Sequence, residues 1–461
     1  MFFQKIRTAL AQWLHKTKEA ETMKTDRMTE EKALDSFMEQ QFAHNSISAA
    51  FPADIASLRA EDLKPAPCRE RIDLREMAVL TLDCDETRDM DDAVSLEQTE
   101  QGWLLGIHIA DVAAYVTPGS RLDEIATERG ASIYLPNRTL PMLPPVLSQD
   151  LCSLNENRDR NALSLLIGIT RAGSVLDYRL CKSRIRSRVK GVYSEVNSIF
   201  SHTAARETLR KYRPFLSRLW DLKRLADALR ERRCRLGADV APGEEVKAAV
   251  VGGEIQLRLQ RQGEAEMLIE ELMILANSLV AQTCLTNGLP CLYRTQEEKN
   301  RLAGYTPDFT RHSSLAIRGT GYTHFTSPIR RRADCFVHQV LTDWLNGESA
   351  EKLRRKYSPE LVEEMALIAT KRLRRAQTMQ LMSLQFCCSR YFAVQSQTVY
   401  RGTVVGFNRQ KLPILCLEAF PIYVLGSLSL GAQIGERYAF HIAVNDATRK
   451  LYAACGRRTA S

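Results

Sequence analysis

Twelve residues, "TLDCDETRDMDD" (81–92), hold six carboxylates, Asp83, Asp85, Glu86, Asp89, Asp91 and Asp92, beside one arginine, Arg88. The whole chain carries a formal net charge of +9, so this cluster runs against its overall balance. Like charges this close repel, and some must take up protons unless a cation shares them. Oxygen ligands select hard ions: magnesium, manganese or calcium. A calcium loop of the EF-hand kind does not fit. Counted from Asp83, its sixth position is Arg88 where glycine is needed, and its twelfth is Val94 where glutamate is needed. A solvated acidic turn is the other reading, but the apolar strand "MAVLTLD" (77–83) runs straight into the carboxylates. Asp83 closes that strand, and Asp89, Asp91 and Asp92 follow in a loop, so the four can converge from two pieces of backbone. Such an arrangement suits two-metal phosphoryl chemistry, in which one ion activates water and both clamp the transition state.

A second segment, "GYTHFTSPIRRRADCFVHQVL" (321–341), supplies the opposite charge. Thr326 or Ser327 reads as a helix N-cap, with Pro328 in the first turn. A helix N-terminus with Arg330 in its first turn is a ready phosphate site. By itself the segment is a capped basic helix. Together with the acidic cluster it suggests a phosphodiester held between carboxylate-bound metals and an arginine.

The elements that must position these groups are legible in outline. Residues 1–45 read as helical and polar, and a proline-bearing connector (51–74) leads into the first strand. "DDAVSLEQ" (91–98) alternates as a half-buried strand, "GWLLGIHIADVAAYV" (102–116) suits a buried one, and 161–185 reads as a hairpin. Apolar residues at three-to-four spacing then predict long helices over 214–233, 264–288 and 360–392. Five short strands within 397–457 fit a small OB-like barrel. The expected class is α+β, a mixed sheet wrapped by helices with a C-terminal all-β barrel. At the start, Phe2, Phe3, Ile6, Leu10, Trp13 and Leu14 fall on one helical face. The stretch reads as an extension packed on the body or left loose; a targeting peptide, or a helix that contacts a partner or membrane surface, is the other reading.

Composition narrows the class. With 461 residues, 44% hydrophobic and 26% charged, the chain is ordinarily globular and long enough for two or three domains. Basic residues gather at 182–191, 230–235, 330–332 and 371–375, which points to RNA, DNA or an anionic membrane. The twelve cysteines include no C-x-x-C pair, so no zinc or redox motif is signalled and a reducing, cytoplasmic setting is expected. No run approaches the roughly 18 apolar residues of a membrane span, so no transmembrane segment is expected.

The chain resembles the catalytic RNB domain of the ribonuclease II and ribonuclease R exoribonucleases. The resemblance is carried, in the family's order, by "TLDCDETRDMDDAV" (81–94), "GIHIADVAAYV" (106–116), "RGASIYLPNRTLPMLPPVLSQDLCSL" (129–154), "LIEELMILAN" (268–277) and "YTHFTSPIRRRADCFVHQVL" (322–341). It implies three regions: a helical extension and connector (1–70), an RNB catalytic domain (71–395) and an OB-fold-like RNA-binding domain (396–461). It also implies a magnesium-dependent 3′→5′ exoribonuclease, with manganese as the alternative ion, that hydrolyses single-stranded RNA to nucleoside 5′-monophosphates as a monomer. By position, Asp83, Asp89 and Asp92 match the metal-associated aspartates, Asp91 the one closest to the chemical step, and Arg330 the phosphate-gripping arginine. Tyr134 matches the aromatic that stacks on the terminal base, Glu270 a helix acid near the ribose, and Arg331 the second of the paired arginines at the RNA.

The departures concern substrate handling. The residues before the catalytic region are too few to hold the two cold-shock-like barrels usual there. No aromatic occurs in 231–260, where a second stacking partner is expected. Arg332 stands where a tyrosine is usual, and no acid occurs in 371–389. A catalytically weak RNA-binding protein that keeps the fold is the competing reading. A DNA-directed two-metal nuclease is what the acidic cluster alone would suggest.

Overall fold

The computed structural model describes residues 29–238, 240, 242–295, 303–309, 321–427 and 431–458. The amphipathic stretch at 2–14 lies outside them.

Strands β1 (Ile72–Asp73), β2 (Val79–Asp83), β3 (Asp92–Thr99) and β4 (Gly102–Ala110) join β7 (Asp159–Ile169) and β8 (Val175–Val192) in one sheet. Its order is β1-β8-β2-β3-β4-β7, and β7 pairs with β8 as well, so the sheet closes on itself along β8. The expected 161–185 hairpin is the β7–β8 pair, with Asp159 opposite Arg186. The far end of β8 then runs parallel to β2, with Val192 opposite Asp83. Closure covers both faces, and this corrects the expected alternation of β3: Ala93, Val94, Ser95 and Leu96 are all buried. Val94 and Leu96 pack in the core shared with the helices, while Ala93 belongs to a second core.

Helix α1 (Glu30–His44) starts at Thr29, whose hydroxyl accepts the Lys32 N–H. Leu34, Met38 and Phe42, four apart, form its buried stripe. Helix α2 (Arg121–Arg129) stops at Gly130, at φ +73°. A Cβ there would stand 2.1 Å from Cβ of Arg372, so glycine serves both the left-handed backbone and the close approach. Helices α3 (Tyr193–Phe200), α4 (Leu216–Arg235) and α5 (Glu264–Thr286) sheathe the sheet, followed by α6 (Arg332–Leu345) and the 36-residue α7 (Pro359–Val394). Helix α5 is long and apolar enough to cross a membrane, but 61% of its apolar window is buried inside the protein.

Short pairs complete the body: β5 (Ile133–Tyr134) with β6 (Thr139–Leu140), β9 (Glu244–Val251) with β10 (Glu254–Arg261), and β11 (Tyr293–Thr295) with β12 (Gly304–Thr306). The β9–β10 hairpin turns at Gly252 and Gly253, both at positive φ, a two-residue signal that is plain in the sequence. After α7, five strands, β13 (Val399–Phe407), β14 (Pro413–Leu417), β15 (Tyr423–Leu425), β16 (Arg437–Val444) and β17 (Leu451–Arg458), close a barrel in the order β13-β14-β15-β17-β16. This is the expected OB-like barrel.

Candidate active site

Because β2 and β3 run antiparallel, with Leu80 opposite Val94, the end of one and the start of the other share an edge. Asp83 and Asp92 therefore stand together. One oxygen of Asp83 accepts the Cys84 N–H at 2.8 Å and the Thr87 hydroxyl at 2.9 Å. The loop between the strands is tied down by Ser153, whose hydroxyl donates to the Arg88 carbonyl at 2.8 Å and accepts the Met90 N–H at 3.1 Å. Asp85 and Glu86 point into solvent and take no part.

Asp91 is 3% exposed. Its Oδ1 accepts the Ile329 N–H at 2.8 Å, and its Oδ2 accepts Nε of Arg330 at 3.2 Å. Arg330 also donates to the Ser327 hydroxyl at 2.9 Å, yet its side chain stays 43% exposed, so an incoming anion can reach it. Tyr134 stands at the rim, 38% exposed, its hydroxyl donating to Asp89 at 3.2 Å.

The arginine segment differs from the sequence expectation. The helix starts at Arg332, so neither Thr326 nor Ser327 caps it, and Arg330 lies in the turn before it. Two sets of contacts delay the start. Arg331 is held extended by its bridge to Ala131, with Ser132 N–H donating to the Arg330 carbonyl and Arg332 N–H to that of Gly130. The Ser327 N–H donates to the buried Asp334 carboxylate at 2.8 Å, which also accepts Arg331 at 2.7 Å. A buried carboxylate, in place of a capping hydroxyl, organises the turn.

Electrostatics marks the cluster as strained for lack of positive charge. Burial raises the carboxyls of Asp83, Asp89 and Asp91 above the ordinary range, and Asp92 reaches about 7 through burial and the neighbouring Asp83. Asp91 gains further from Asp89 and Asp92, against the opposing pull of Arg330. Among the described residues no three acidic, histidine or cysteine side chains already close on one point at metal-holding spacing. The donor chemistry nevertheless fits a hard divalent cation, since the ligands are all carboxylate oxygens whose burial such an ion would offset.

Other residues fall outside this centre. Glu270, on α5, is exposed and accepts a hydrogen bond from Gln262. Its neighbour Glu271 is buried and paired with Arg233 at 3.0 Å. Arg332 is an anchor, 2% exposed, bonded to Asp123 at 2.9 Å and Thr127 at 2.8 Å. Tyr193 was not expected from the sequence: burial, then the charges of Asp92 and Asp83, push its phenol up. Asp334 was not expected either, although its place three residues after Arg331 was a usable signal.

The fold, a self-closing mixed sheet sheathed by helices and followed by a five-stranded barrel, is that of the ribonuclease R type. It superposes on the apo form of Mycoplasma genitalium RNase R with a TM-score of 0.78 at 20% identity, covering 90% of this chain and 77% of that one. On the same protein in complex with ribose methylated single-stranded RNA the score is 0.74 at 21% identity, over 91% and 74%. Residues 71–304 and 299–347 match the RNB domain, and the chain belongs to that family. Ribonuclease R of Thermotoga maritima is 32% identical over 381 residues, which is 70% of this chain. The chain spans about half, 52%, of the length of that relative.

Proposed function

We propose that the chain is a 3′→5′ exoribonuclease that hydrolyses single-stranded RNA to nucleoside 5′-monophosphates with magnesium, or alternatively manganese. One observation carries the reading: Asp91 and Arg330, 239 positions apart, meet among three further carboxylates, with Tyr134 at the rim. Membership of the RNB family and the relatives named ribonuclease R support it.

Asp83, Asp89 and Asp92 would hold the ions, which supply an activated water and neutralise charge at the phosphate. Asp91 aims Arg330, and the guanidinium grips the scissile phosphate as negative charge grows on it. Tyr134 offers its ring to the terminal base, a stacking contact worth roughly 1–3 kcal/mol that tolerates any sequence, as a non-specific degrader requires. The Asp89 contact fixes that ring. Glu270, exposed on α5, is open to the ribose, whereas Arg331, committed to Asp334, acts by holding the Arg330 turn; the barrel adds RNA affinity.

The test is incubation with end-labelled single-stranded RNA, with and without magnesium, beside DNA of the same sequence. Mononucleotides from RNA alone, and only with the metal, are expected. RNA bound but left intact would turn the reading to an RNA-binding protein; equal loss of DNA would turn it to a general nuclease.

A further inference from the structure

The family match begins at residue 71, which leaves helix α1 outside it. We infer that α1 is a positioning element for the turn that carries Tyr134, acting through Asp35 and Glu39. The inference rests on the role proposed above for Tyr134.

The argument starts from strand alternation. Ile133 and Leu140, 5% and 4% exposed, lie in one apolar cluster with the buried stripe of α1, Leu34, Met38 and Phe42, and with Ala376 and Met379 of α7. Successive side chains of a strand point to opposite faces, so burying Ile133 in the cluster that α1 and α7 share turns Tyr134 the other way, onto Asp89. The tip of the turn is fastened as well. Asn137 donates to Asp35 at 2.9 Å, and Arg138 donates to Glu39 at 2.6 Å with its guanidinium 6.0 Å from the Phe42 ring. The Leu135 N–H closes the turn on the Arg138 carbonyl at 2.8 Å.

Helix α1 is itself anchored from the far side. Arg390 of α7 grips Glu30 at 2.6 and 2.9 Å, and Phe37 stacks on Phe386 at 5.0 Å. Arg449, from the barrel, lies 4.4 Å and 4.6 Å from those two ring centroids. An unbroken path of contacts thus runs from the barrel through α1 to the rim of the acidic site. None of these residues touches the acidic cluster except through Tyr134.

Hydrogen exchange of residues 133–140 in the full chain tests this without relying on activity. Partly exposed polar links each stabilise by only a few-fold, so Asp35→Ala with Glu39→Ala should speed exchange in the turn about five- to tenfold while leaving the thermal midpoint nearly unchanged. The same variant should raise the RNA concentration for half-maximal cleavage several-fold, with maximal turnover little altered. Glu39→Arg should loosen the turn on its own, and adding Arg138→Glu together with Asp35→Asn, since Asp35 lies 3.7 Å from Arg138, should bring both readouts back toward the parent. Unchanged exchange in the turn, or no recovery in the swapped variant, would overturn the inference. Faster exchange together with normal cleavage by Tyr134→Ala would uphold α1 as the positioning element and overturn the stacking role of Tyr134 instead.

Discussion

Asp91 and Arg330 form a single hinge between the two halves of the site: one oxygen of Asp91 takes Nε of Arg330 at 3.2 Å, the other takes the Ile329 N–H at 2.8 Å. The acidic loop thereby pins the arginine segment directly. Each partner then has a distinguishable effect when changed.

Asp91→Asn keeps an acceptor for the Ile329 N–H and loses the charge. RNA binding should persist, while single-turnover cleavage should fall by about 10²–10³ or more, the scale of losing one preorganised charge at a reacting centre. Cleavage at half the parental rate would remove Asp91 from the chemistry.

Arg330→Ala should damage turnover far more than binding, because the guanidinium gains most as charge develops on the phosphate. Arg330→Lys should not restore it, since an ammonium cannot reproduce the planar fork. Parental rates with lysine would show that only a positive charge is needed. The comparison requires maximal turnover and RNA affinity measured separately on all three proteins.

Divalent cation should stabilise the folded chain by relieving repulsion among buried carboxylates. At a concentration 100 times the dissociation constant, binding to the folded state alone contributes about 2.7 kcal/mol. Thermal unfolding with and without magnesium should show a rise for the parent and little for Asp83→Asn with Asp92→Asn. An equal rise in both would place the ion elsewhere.

His108 gives a pH signature independent of the site. Fully buried between the hydroxyls of Ser95 at 3.0 Å and Ser164 at 2.7 Å, it is held down to about 3 by burial. The unfolded chain takes up this proton near pH 6.5 and the folded chain does not, so the stability His108 confers is full above 6.5 and lost as pH falls toward 3. The stability gap between the parent and His108→Gln should therefore narrow by about 2 kcal/mol from pH 6.5 to 5, at 1.36 kcal/mol per unit. Urea unfolding of both proteins at the two pH values measures it; a constant gap would mean that the buried ring is charged.

Local chemistry was sufficient for much of this protein. The apolar strand ending at Asp83, the long amphipathic helices and the five short C-terminal strands are written in nearest-neighbour patterns. What the sequence could not determine depended on residues far apart in the chain. Closure of the sheet along β8 buried both faces of β3 and cancelled its alternation, because burial is set by what packs on a strand and not by the strand itself. The bridge from Arg331 to Ala131 and the buried Asp334 overrode the local capping signal at Thr326 and Ser327, moving Arg330 out of the helix and into a turn. The Gly252–Gly253 pair carries a turn signal, yet the hairpin it closes was not expected from the sequence, nor was its place against α7. Above all, the meeting of Asp91 with Arg330, and of the turn that carries Tyr134 with α1, is fixed only when the sheet and helices pack, since no short-range preference links residues about a hundred or more positions apart.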